Sequence, residues 1–102
     1  MKKALTKTEN KIYHYKDGKR IEGVHKDIVG NVSNISGDVS NIRGDVSGII
    51  GNVSNIRGYV SGISGNVNGI IGDVSDIIGN IDECEITEED RKKGIDISEL
   101  IN

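Results

Sequence analysis

Proline, phenylalanine and tryptophan are absent from this chain, and cysteine and methionine occur once each among its 102 residues. The single cysteine, Cys84, excludes an intramolecular disulfide framework and fits a reducing compartment. Nowhere do 18 apolar residues run together, so no membrane-spanning helix is expected. The opening stretch MKKALTKTENKIYHYKDGK holds no apolar segment long enough for a signal peptide. These absences lead us to expect a soluble, cytoplasmic protein without membrane contact. What apolar content remains is almost all of one kind: 18 Ile and 9 Val against 2 Leu and a single Ala. Such β-branched side chains suit a pleated surface and crowd a helix, so the bias leans toward strand. The length allows one domain with a modest core.

Gly recurs at 30, 37, 44, 51, 58, 65, 72 and 79, giving the rows GNVSNIS, GDVSNIR, GDVSGII, GNVSNIR, GYVSGIS, GNVNGII, GDVSDII and a degenerate GNIDECE. The three-then-four spacing of Val and Ile is also that of a coiled-coil seam. Energetics reject that reading. Eleven Gly lie between residues 30 and 79, and at about 1 kcal/mol each inside a helix they total about 10 kcal/mol. That is comparable to the whole stability of a domain, about 5–15 kcal/mol. Started from its Ile, the same row alternates strictly: in Ile42-Arg43-Gly44-Asp45-Val46 the first, third and fifth residues share one face. Turn-forming pairs then follow, such as Ser33-Asn34, Ser47-Gly48 and Asn68-Gly69. A lone row cannot bury its Ile and Val, so the rows must stack, and the expected fold is a mainly β heptapeptide-repeat β-solenoid with aliphatic ladders inside. Gly, at the middle inward position, is expected to let opposing walls approach closely.

Two rows would make a flattened 14-residue coil and three a triangular 21-residue coil. The residues before each Gly run Ser36, Arg43, Ile50, Arg57, Ser64, Ile71 and Ile78, with one identity at a lag of two rows and one at three. Both coils stay open on this reading. Residues 1–29 form an N-terminal segment whose Asp17-Gly18 marks a hairpin cap. Residues 30–84 carry the repeats. Residues 85–102 form a C-terminal cap with a short helix after Thr87 ending at Gly94 and a second near Asp96, the whole making one folding unit.

Row, hairpin and ending together carry a resemblance. The xGDVSxI row, the front YHYKDGKRIE and the closing IDECEITEEDRKKGIDISELI resemble a group of short, uncharacterised heptapeptide-repeat proteins of gut bacteria and their phages. Members of that group join a similar hairpin to GDVSGL-type rows and an acidic ending. The resemblance implies a phage or mobile-element connection, with the host-cell cytoplasm as location if phage-encoded, and it assigns no activity to any residue. Tyr59 here replaces the Asp or Asn of its row, and Asn68 replaces the Ser.

The sequence carries no catalytic constellation. Left-handed β-helix acyltransferases place a His between coils, but these rows contain none, and His14 and His25 in the front segment read as ordinary surface residues. Cys84 has no His near it in sequence and reads as a small buried hydrophobe. Two His and one Cys at unrelated spacings make no zinc site. Asp38, Asp45 and Asp73 lack the GGxGxD signature of calcium-binding rolls. We therefore expect no enzyme, no cofactor and no metal.

Charge is asymmetric, at +4 over residues 1–29, −2 over 30–81 and −5 over 82–102. Lys11, Lys16, Lys19 and Arg20 with Tyr13 and Tyr15 are a mixture capable of contacting phosphate and stacking on bases, but the acidic rows and tail oppose nucleic acid. The reading is a nonenzymatic interaction or scaffold module with a protein partner. An inhibitor acting by nucleic-acid mimicry and a virion structural component are the alternatives. Oppositely charged ends favour contacts between copies. Arg43, Arg57 and Tyr59 are the candidate contact surface, since exposed Tyr and Arg offer large contact area with polar reach.

Overall fold

The computed structural model describes residues 1–4 and 12–102. Each row supplies one short strand. A hairpin of β1 (Ile12–Lys16) and β2 (Lys19–Glu22) opens the fold, followed by β3 (Ile28–Val29), β4 (Ile35–Asp38), β5 (Ile42–Asp45), β6 (Ile49–Asn52), β7 (Ile56–Tyr59), β8 (Ile63–Asn66), β9 (Ile70–Asp73) and β10 (Gly79–Asn80). A 3₁₀ turn (Ile81–Cys84), helix α1 (Glu88–Lys93), β11 (Ile95–Asp96) and a second 3₁₀ turn (Ile97–Leu100) close it.

Strands alternate between two walls. One is six-stranded in the order β10-β8-β6-β4-β1-β2, the other five-stranded in the order β11-β9-β7-β5-β3. Apart from the antiparallel β1–β2 pair, the strands in each wall run parallel. A strand therefore pairs with the strand two rows on, which settles the coil at two rows. The chain is a β-solenoid of two facing walls. Between them lie Ile35, Ile42, Ile49, Ile56, Ile63 and Ile70 with Val39, Val46, Val53, Val60, Val67 and Val74, all buried. Alternation is clearest in the middle rows, with Ile and Val inside and the intervening residues, Arg43 and Asp45 for example, exposed, while Ser36, Asp38, Ser64 and Asn66 are half-buried.

Corners follow from the row as well. Val O accepts from the N–H of the Ile three residues on, as in Ile42 to Val39 at 3.3 Å and Ile56 to Val53 at 3.2 Å, so Val-x-x-Ile is a β-turn in every row except the degenerate last one. Val N–H also reaches back to the preceding coil, Val60 to Arg43 O at 2.9 Å, which carries the ladder one residue past each four-residue strand.

The expected role of Gly needs correction. Gly37, Gly44 and Gly58 have φ of +98°, +106° and +97°, and a β-carbon on Gly37 would run into Ser54 Oγ and Asn52 Oδ1 of the following coil rather than the opposite wall. Gly adopts a backbone that side chains disfavour and leaves room for a polar ladder between coils.

At the front, Asp17 and Gly18 both have positive φ, +53° and +77°, as a two-residue hairpin turn requires. At the back, Thr87 and Asp90 form a reciprocal capping box on α1. Arg91 Nη1 donates to Asn66 O (2.7 Å) and Asn68 O (2.8 Å), fastening the cap to the last full turn. The segment after Asp96 is a single 3₁₀ turn rather than an α-helix, with the Asp96 side chain accepting from Ser98 N–H.

Candidate functional site: the outer wall around Tyr59

Outside both walls, the polar residues of successive rows are tied together by a repeated pair of hydrogen bonds. The Asp or Asn after Gly accepts from the Ser N–H two residues on, as in Ser47 to Asp45 Oδ1 and Ser54 to Asn52 Oδ1, both 2.9 Å. Its own N–H donates to the Ser of the coil beyond, as in Asp45 to Ser61 Oγ at 2.7 Å. The motif Gly-Asx-Val-Ser is thereby explained residue by residue. Gly makes the space, Asx holds its own corner, Val enters the core and Ser receives the N–H of the previous coil. Asn68 takes over the role of Ser, its Oδ1 accepting from Asn52 N–H at 2.7 Å.

Tyr59 breaks the pattern. Its N–H still donates to Ser75 Oγ at 2.9 Å, but its side chain carries no carboxyl or amide oxygen close to the backbone to accept from the turn at Ser61. The side chain is 49% exposed, and its ring lies over Gly44, with Cε2 2.8 Å from where a β-carbon would stand. Arg43 is its partner on the neighbouring strand, and Arg57 pairs in the same way with Asp73. Arg57 and Tyr59 sit two apart on β7, so the wall brings Arg43, Arg57 and Tyr59 into one exposed group beside Asp73. Hydrogen bonds from Ser75 N–H and then its hydroxyl hold the Asp73 carboxyl below its usual value, with Arg57 and Arg43 adding to the effect. Asp45 is lowered by Ser47, through its hydroxyl first, and Asp96 by Ser98, with a contribution from Arg57.

The front basic cluster is arranged differently from a row of free stacking platforms. The Arg20 guanidinium covers the Tyr13 ring at 3.8 Å, Tyr15 meets that ring edge-on at 5.9 Å, and Arg20 pairs with Glu22 at 3.1 Å. Lys11 lies outside the described residues.

Two expectations about reactive side chains are overturned. His14 is buried and donates from Nδ1 to Gly23 O at 2.8 Å. His25 donates from Nε2 to Val39 O at 2.8 Å, and its Nδ1 accepts from Asp27 N–H at 3.2 Å. The two rings meet edge-on at 5.6 Å, so both histidines are tied into the front cap, with His14 buried rather than at the surface and His25 half-buried. Cys84 is exposed, because the last row leaves the ladder for a 3₁₀ turn and carries the thiol out with it. Among the described residues no three His, Cys, Asp or Glu side chains are grouped to hold a metal ion, and no helix is long and apolar enough to cross a membrane. No protein-family model, curated protein or solved structure matches the chain.

Proposed function

We propose that this protein is a nonenzymatic interaction or scaffold module, of phage or mobile-element connection, that meets a protein partner through Arg43, Arg57 and Tyr59. The observation that carries this reading is Tyr59 itself. Its row gives up the side-chain acceptor that the Asx residues supply at the other corners, and the ring that replaces it is half exposed, across from Arg43 and two residues along the strand from Arg57. A residue that forgoes a local hydrogen bond while adding aromatic surface is better accounted for by a contact than by the coil. Both histidines are engaged with main-chain carbonyls, which supports a structural use of the groups most suited to catalysis. Arg43 and Arg57 stand among Asp45, Asp73 and Asp96 on this wall, so its charge is mixed, and mixed charge favours a protein surface over mimicry of a nucleic acid.

The test is affinity capture from the native host with wild-type, Tyr59→Asn and Arg57→Asp proteins of matched stability. A protein held by wild type and lost by both variants supports the reading. Virion proteins in that set assign a structural role, and a host enzyme assigns an inhibitory one. Identical captures from all three proteins overturn the assignment of this wall.

A further inference from the structure

The two ends of the solenoid are finished differently. At the back, the wall containing β9 is closed by β11, and Ile97 packs against Gly72. The other wall stops at β10, with no strand beyond it among the described residues. Gly79 marks the gap. A β-carbon on Gly37, Gly51 or Gly65 of the same wall would strike polar side chains of the following coil, whereas at Gly79 none of the described residues lies within 4 Å. Gly48 O and Gly62 O accept from Gly65 and Gly79, and the next carbonyl in that series, Asp76 O, stands where the sheet ends. Beside this edge Ile78 is 89% exposed, in a groove with Asp73, Asp76, Leu100 and Ile101.

The opposite edge of the same six-stranded wall is β2, and all four of its residues are exposed. Lys16 and Lys19 face each other directly across the hairpin, an unfavourable placing of like charges unless an anion lies nearby. Exposed Ile21 lies within the same edge strand. One sheet therefore has a front edge flanked by Lys16 and Lys19 and a back edge flanked by Asp76 and followed by the −5 segment 82–102, both carrying backbone groups that can pair with another strand.

We propose that copies of the chain join end to end, the β2 edge of one lying antiparallel along the β10 edge of the next, so that the six-stranded sheet continues across the contact and Ile78 is covered. Antiparallel pairing follows from the topology when the copies share one orientation, because β2 alone runs against the other strands of its sheet. Charge selects the arrangement. Front against front and back against back repel, while front against back attracts. The contact joins two different surfaces and so repeats from copy to copy. It leaves the Arg43–Arg57–Tyr59 wall uncovered and does not depend on the function proposed above.

Sedimentation velocity of the intact chain tests this over rising concentration at low and high salt. Wild type is expected to exceed the monomer mass increasingly with concentration and less so in high salt. Ile78→Asp blocks the back and Lys19→Glu the front, and each is expected to weaken association by roughly tenfold or more. Mixing the two variants should yield a dimer and nothing larger, since one contributes an intact front and the other an intact back. A monomeric wild type, variants that assemble as wild type does, or a mixture that stays monomeric while both variants melt normally would each overturn the proposal. Should either substitution unfold the chain, Ile101→Asp and Ile21→Asp replace it with the same expectations.

Discussion

Arg43 and Tyr59 are direct neighbours across two parallel strands although sixteen residues separate them, and the Tyr59 ring extends from that position over Gly44. The side chain thus combines an exposed edge with a packed one. Tyr59→Asn separates the two roles. It restores the acceptor for the corner, worth about 0.5–1.5 kcal/mol, and removes a good strand former, worth up to about 1 kcal/mol. Thermal melts are expected to agree with wild type to within about 1 kcal/mol, while partner binding falls. A stability loss well beyond that would make the ring a structural cover for Gly44.

Inward and outward positions differ sharply in tolerance. Ile56 is 2% exposed, and Ile56→Asp puts an unpaired carboxylate in the core, at a cost of about 4 kcal/mol or more. Arg57→Asp, one residue on, places a carboxylate opposite Asp73 and costs about 1 kcal/mol or less through like-charge repulsion. Urea unfolding of the two variants checks this, and equal losses would contradict the assigned faces.

Gly37 and Gly79 occupy the same place in their rows but have different surroundings. Gly37→Ala meets both a positive φ and the Ser54 and Asn52 oxygens, so a loss of about 2 kcal/mol or more is expected. Gly79→Ala meets only its backbone cost, because the space beside it is open. Comparison of the two melts measures what the polar ladder contributes beyond conformation.

Acid should weaken the fold through the corners. Asp45, Asp73, Asp90 and Asp96 all have lowered values in the folded chain, held mainly by hydrogen bonds from Ser47, Ser75, Thr87 and Ser98. The unfolded chain therefore takes up protons first as pH falls. The stabilisation is fully present above the ordinary aspartate value of about 3.9 and is lost as pH drops through the lower folded-state values. Asn in place of Asp45 and Asp73 keeps the acceptor, as Asn52 shows with Ser54, and removes the titration. The double variant is expected to match wild type near neutrality and to lose less stability in acid. An undiminished acid loss would remove these corners as its source.

The strand faces, the corners and the hairpin were legible because each is written within one row or one short segment. Ile42, Gly44 and Val46 alternate with Arg43 and Asp45, and Asp17-Gly18 permits little but a tight turn. Coil size was not legible from matching outward residues, and the register explains why. Strands stack with a two-residue slip, so Arg43 lies beside Tyr59 instead of Arg57, fourteen residues on. Identities at whole-row lags therefore compare residues that do not touch. The polar ladder escaped for the same reason, since Asp45 meets Ser61 only after the slip. Cys84 and His14 were misplaced because their exposure depends on where the last row leaves the ladder and how the hairpin folds back. Tyr59 and its two arginines were recognisable as outward from alternation, but their grouping on one wall required the two-row coil.

Alternation of rows between two walls also gives the gene a parity rule. Duplicating one seven-residue row upstream of Arg43 would move every later row to the opposite wall relative to the front hairpin, carrying Arg43, Arg57 and Tyr59 to the other side. Duplicating two rows would add one coil and restore each residue to its own side, two strands further from the front. Length can therefore vary in steps of fourteen residues without changing which side faces a partner, while a single-row change reverses the face and leaves the composition of the repeat almost untouched.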